Sequence, residues 1–200
     1  MRRTIARSLG AMCGSIGAAL TVTNRETSVG AKREAVAVTE AGDALRQARE
    51  FISEASGPPE SEEEQERLTR TLYALDDASR LAEIAGEKEE VGSGSGGSED
   101  VRAATLCADA MRDTILIADE VDALPAANGA SIEQTMIQLE HCAKALRELQ
   151  RVHRKSTLGS VAGGAVSADE AIARVEIVRH LEALARQAWL SAAHLVDSRP

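Results

Sequence analysis

Two acidic pairs and four scattered histidines are the residues of this 200-residue chain whose types and spacing could do chemistry. Asp109 and Asp113 stand four residues apart in Asp-Ala-Met-Arg-Asp. On a helix, positions i and i+4 face the same way, so two carboxylates there can share one cation. Glu120 falls on the same stripe, on the side away from the apolar residues. The plainer reading is a solvated acidic face, since this spacing arises easily in an acidic helical protein. Asp76 and Asp77 form the second pair. Asp76 can pair with Arg80, and Arg80 with Glu83. Either aspartate could add to a metal or partner site between helices. As boundary charges they would only fix register, an exposed pair contributing less than about 1 kcal/mol. His141, His153, His180 and His194 show neither an HExxH nor a Glu-x-x-His spacing. No Gly-x-Ser-x-Gly elbow occurs, and GSGSGGS at 92–98 lacks the Gly-Lys-Ser/Thr of a phosphate-cradling loop.

The elements that must hold these residues are helical. Trp189, Tyr73 and Phe51 are the only aromatics, and the apolar content is mainly Ala, Leu, Val and Ile. Such sequence, without alternating β-branched runs, favours close-packed helices over sheets. The net charge of −9 disfavours a nucleic-acid role, which needs a basic patch. Residues 54–100 hold 14 Asp/Glu against 4 Lys/Arg, a local net of −10. Most of this acid reads as a solvated helix start and linker. Cys13, Cys107 and Cys142 are odd in number and lack a CxxC, which argues against a disulfide frame or a zinc site. Cys107 and Cys142 read as reduced core residues, as in the cytoplasm.

Residues 1–27 stand apart as a basic, Gly-rich, apolar tail: disordered, weakly helical or membrane-proximal. Its apolar run is too short and too weakly hydrophobic for a convincing membrane span. Residues 28–200 form the bundle. A first helix covers about 31–55 and ends at Gly57-Pro58-Pro59. A capping box at Ser61 and Glu64 opens a second, to about Glu90. Its stripe is Leu68, Leu72, Leu75, Ser79 and Ala82, widened by Ala74, Ala78, Leu81 and Ala85, with Tyr73 and Ile84 opposite. After a flexible linker at 92–98 a third runs from about Glu99 to Leu124, closed by Pro125 and Asn128-Gly129. Ser131 and Gln134 box the fourth, to about Arg154. TLGSVAGGA from 157 reads as a loop, and Ser167 with Glu170 boxes the last helix. The spacing therefore predicts an all-α, up-and-down bundle of about five long antiparallel helices.

Two stretches carry a family likeness. One is AGDALRQAREFISEA with LYALDDASRLAE; the other runs from LRELQRVHRKSTLGS through VRHLEALARQAWLSAAHL. Together, over roughly residues 35–198, they resemble the PhoU-like C-terminal domain of bacterial sodium/phosphate cotransporters. The features are Leu72 to Leu81, His153-Arg154 before Thr157-Leu158, and Arg179-His180-Leu181 before Trp189. The likeness implies a non-enzymatic cytoplasmic regulatory domain in phosphate homeostasis, at the inner face of the plasma membrane. Its implied partner is the transporter's membrane domain or another phosphate-regulation protein, with a homo-oligomer also compatible. It implies metal binding as well, by a divalent or ferric ion, because PhoU-like proteins use Glu/Asp-x-x-x-Asp pairs that Asp109 and Asp113 match; Asp76, Asp77 and Glu120 would be additions.

Two other readings stand beside it. His141 with Lys144 resembles the His-x-x-Lys of histidine phosphotransfer bundles, though Ala145 replaces the expected glycine. A helical interaction or scaffold protein fits the composition equally. Arg147, Arg151, Arg154 and Lys155 form a basic cluster read as complementing a helix dipole, or as touching phosphate or anionic lipid.

Overall fold

A computed structural model describes residues 1–21, 28–55, 57, 59–87, 97–123 and 129–197. Pro58, Pro125, Asn128 and most of the Gly/Ser linker lie outside the described residues, as do residues 22–27. The chain is all-α, with six helices among the described residues: α1 (Arg2–Thr21), α2 (Ser28–Ala55), α3 (Glu62–Gly86), α4 (Ser98–Asp122), α5 (Gly129–Ala162) and α6 (Ala168–Asp197). None of them is long and apolar enough to cross a membrane.

The helix beyond the expected five is α1, which packs residues 2–21 of the stretch read as a disordered, weakly helical or membrane-proximal tail onto the rest of the bundle. Ile5, Leu9, Met12, Cys13 and Ile16 recur every three or four residues and are all buried. Their main neighbour is α4, with α2 beside them. Small residues let the two backbones approach. A Cβ on Gly10 would sit 3.6 Å from Ala118 Cβ, and one on Gly17 3.7 Å from Met111 Cβ. Arg7 reaches Asp122 at 2.9 Å near the start of the helix. Residues 7 and 122, 10 and 118, 17 and 111 thus pair in descending order, so α1 and α4 are antiparallel.

The most extensive packing is α1 against α4 and α3 against α6; α4 also packs on α5 and α6, α5 on α6, α1 on α2 and α2 on α3, with smaller contacts of α1 to α3 and α6. α2 and α5 are the outer helices. The α3 face that turns inward is Thr71, Ala74, Leu75, Ala78, Leu81 and Ile84. Leu72 is exposed and Ile84 buried, so the helix is rotated from the stripe read in the sequence. The small residues assigned to that stripe's margin are its centre. Each fully buried Leu or Ile in this core contributes about 1.5–3 kcal/mol over exposure.

Helix starts follow local chemistry where side chains are available for it. Ser61 Oγ accepts from Glu64 N–H at 3.2 Å, while the Glu64 carboxylate accepts from Glu60 N–H at 2.9 Å. Ser167 Oγ accepts from Glu170 N–H at 3.2 Å. The box expected at Ser131 is absent because α5 already begins at Gly129, which places Ser131 inside the helix.

Candidate functional site

The polar residues that converge lie where the start of α4 meets the end of α5 and the first turns of α6. At the start of α4, Asp100 is the third helical residue, and its Oδ2 accepts the Gly97 N–H at 2.9 Å. That bond fixes the carboxylate at a helix N-terminus, where the backbone dipoles favour its charge. Opposite it, α5 turns Leu139, Leu146, Leu149 and His153 inward at helical spacing, all buried. His153 is 4% exposed, and its Nε2 lies 3.2 Å from Asp100 Oδ1. Thr157 Oγ1, one turn on, is 3.4 Å from the same nitrogen.

Thr157 takes part only because α5 does not stop where the sequence reading placed a loop. The helix continues through Ala162, so the 157–162 part of TLGSVAGGA is helical. Its end is made by Gly164, at φ 71°, with Ala165 N–H to Ser160 C=O at 3.0 Å and Gly164 N–H to Val161 C=O at 3.0 Å. This pair of bonds closes the helix through a left-handed residue that glycine adopts freely. The extension also moves Arg147, Arg151, Arg154 and Lys155 away from the last turn, so a dipole-complementing role does not hold. Arg151 grips Glu148 through two bonds of 2.9 and 2.7 Å.

A cleft of about 240 Å³ opens at this junction, and its walls include Ser98, Asp100, His153, Ser156, Thr157 and Arg174. Arg174 is held by Glu170 at 3.3 Å. His153 Nδ1 and Asp100 Oδ1 are both buried and have no hydrogen-bond partner. The 3.2 Å approach of Nε2 to Oδ1 is thus close but not aligned as a hydrogen bond. Asp100 and Thr157 contact the same ring nitrogen. A nucleophile-activating relay needs them on opposite nitrogens, so this is not a Ser/Thr–His–Asp arrangement.

The sequence-predicted residues are distributed over other faces. Asp109 pairs with Arg112. Asp113 is 9% exposed rather than on a solvated stripe, and burial raises its pKa, with Arg112 lowering it and Asp109 adding to the rise. Cys142 of α5 lies within its influence; burial first, then Asp113 and Asp109, push that thiol up. Glu120 is half-buried. No group of three or more His, Cys, Asp or Glu among the described residues is placed to hold a metal. Asp76 binds Arg49 of α2 at 3.2 Å, while Arg80 turns to Glu83 at 2.7 Å, so the Asp76–Arg80 option is not taken up. Asp77 faces α6, where His194 Nδ1 lies 2.9 Å away. Burial raises the Asp77 pKa, and the bond to His194 pulls it back. Tyr73 covers the His194 ring at a centroid distance of 5.2 Å.

His141 is exposed on α5, with Lys144 drawn to Glu140 at 2.8 Å. Cys13 and Cys107 are fully buried; burial pushes the Cys107 thiol up to about 12 and Cys13 further still. Both are inert core thiols. The His153 site was hidden in the sequence by the loop reading. Its signal is His153-x-x-x-Thr157 on one helical face, opposite an acidic third residue of another helix. Comparison of the chain with protein-family models, curated proteins and solved structures gives no match.

Proposed function

We propose that this chain is a non-enzymatic regulatory domain associated with sodium-dependent phosphate transport, PhoU-like in kind and cytoplasmic. It would work by contact with a transporter's membrane domain or another phosphate-regulation protein at the inner face of the plasma membrane. One observation supports this above the rest. The two stretches that carry the likeness are far apart in sequence, yet they form one packed body: α2 lies on α3, α3 on α6, and α6 on α5. Asp77 and His194, one from each stretch, tie it together. The two stretches thus belong to one packed core of this chain.

Two of the aspartates singled out for chemistry, Asp76 and Asp77, are engaged in holding helices together, which fits a protein that acts by binding. Asp76 ties α3 to α2 and Asp77 ties α3 to α6. The test is sodium-dependent uptake of radiolabelled phosphate in source cells with and without the gene. The expected outcome is altered uptake or altered repression at high phosphate, restored by the intact chain. Unchanged uptake across phosphate-replete and phosphate-starved growth would overturn the reading.

A further inference from the structure

We propose that the outward face of the second half of α5 is a docking surface for an anionic lipid bilayer. Among the described helices α5 packs only on α4 and α6, so the side opposite Leu146, Leu149 and His153 is uncovered. Arg147, Arg151, Arg154, Lys155 and Leu158 lie on that side and are all exposed. By helical spacing they fall within an arc of about 100° and run for about 17 Å along the helix. After Glu148 no acidic residue follows until Asp169. Glu148 itself, at the edge of the stripe, is held by Arg151. The surface stands on these residues alone, whether or not the chain regulates phosphate uptake.

Unpaired charge singles this face out. In a chain of net charge −9, carboxylates are plentiful. Elsewhere they hold the cations: Arg46 has Asp43, Arg80 has Glu83 and Arg112 has Asp109. Arg147, Arg154 and Lys155 have no carboxylate partner among the described residues, nor has Arg102, at the end of α4 where Asp100 meets His153. The glutamates that open α3, Glu62 to Glu66, lie on a helix that α5 does not touch. Basic and acidic surfaces are thus kept apart, and an anionic plane would turn the α5 face toward itself. Leu158 is 46% exposed within the stripe, and Val152, 43% exposed, flanks it. Long cations around an exposed aliphatic side chain suit a bilayer interface: the cations reach lipid phosphates while the apolar group enters the acyl boundary. Nucleic acid fits less well, because no aromatic side chain stands in the stripe for bases to stack on.

The test sediments the full chain with vesicles of phosphatidylcholine, alone or mixed with phosphatidylglycerol. Binding is expected only with the anionic lipid, and raised salt is expected to release it. Arg147→Gln, Arg154→Gln and Lys155→Gln together should lower the affinity about a hundredfold, or about fivefold per cation. Leu158→Ser should weaken binding severalfold and leave its salt dependence as it was. As a charge-matched control, Arg46→Gln, Arg67→Gln and Arg80→Gln together remove the same charge from α2 and α3 and should bind nearly as the parent does. Absence of binding to the anionic vesicles overturns the proposal, as does equal binding to phosphatidylcholine alone or an equal loss in the two triple variants. Binding to polyglutamate with none to vesicles would make the face a site for acidic protein, and overturns it as well. Should the first triple variant fail to fold, release by salt and the effect of Leu158→Ser decide the matter.

Discussion

Two aspartate–histidine contacts cross between antiparallel helices of this molecule, and they differ in nearly everything but chemistry. Asp77 and His194 join α3 to α6 at 2.9 Å, part-exposed, with the Tyr73 ring against the imidazole. Asp100 and His153 join α4 to α5 at 3.2 Å, buried and misaligned, with orphaned atoms on both partners and a cleft beside them. The first is complete without help. The second, identical in residue types, carries unmet polar demand on two buried atoms, Asp100 Oδ1 and His153 Nδ1. Residue identity therefore says little about role; what decides it is whether the surroundings satisfy the pair.

Deleting the imidazoles separates the two most sharply. His153→Ala is expected to cost about 3 kcal/mol, because it opens a cavity in a packed interface and strands the Asp100 carboxylate. His194→Ala should cost about 1 kcal/mol, since water can reach Asp77 once the ring is gone. Urea unfolding of both variants measures the difference. Equal losses would erase the distinction drawn between the sites.

Asp113 supplies the reference case of an inward aspartate with no histidine opposite. Burial raises its pKa above the ordinary carboxylate value. The folded chain then holds the proton more tightly than the unfolded chain, so ionisation of Asp113 costs stability above its folded pKa. That cost disappears as the pH falls through the folded pKa to the ordinary range. Asp113→Asn should therefore be the more stable protein at neutral pH, by about 1 kcal/mol at most. Its advantage should shrink on acidification, as followed by thermal unfolding across the acid range. Asp77→Asn should behave alike but more weakly, because His194 already offsets part of the burial cost.

Much of the fold was legible because it is written locally. The Ser61–Glu64 and Ser167–Glu170 signals mark helix starts through neighbours three residues apart, and both are realised. What escaped depended on distant partners. α1 is glycine-rich and reads as a tail until α4 supplies Ala118 and Met111 for it to pack against. The rotation of α3 is set by α6 and α2 rather than by its own widest stripe. Of the candidate site, Asp76, Asp77, Asp109 and Asp113 were visible as acids on helices, but the partners of Asp76 and Asp77 were not, since Arg49 and His194 are 27 and 117 residues away. His153 was visible as a histidine without a metal spacing and as part of the family likeness, not as a member of a site. Gly163 and Gly164 drew the expected helix end back to about Arg154, and with it went the turn that carries Thr157.

The smallest effect concerns the ring that distinguishes one pair from the other. Tyr73 is largely exposed, and its tilt of 32° to His194 is neither parallel nor edge-on. If the tyrosine screens the Asp77–His194 bond from water, the two residues stabilise the fold jointly, not separately. Tyr73→Ala and His194→Ala combined should then cost less than the sum of the single variants, with a coupling of about 0.5 kcal/mol. Tyr73→Phe should keep that coupling, because the face of the ring acts and the hydroxyl does not. Strict additivity would mean the aromatic contact is incidental, and the completeness of the α3–α6 pair would rest on its short, well-directed bond alone.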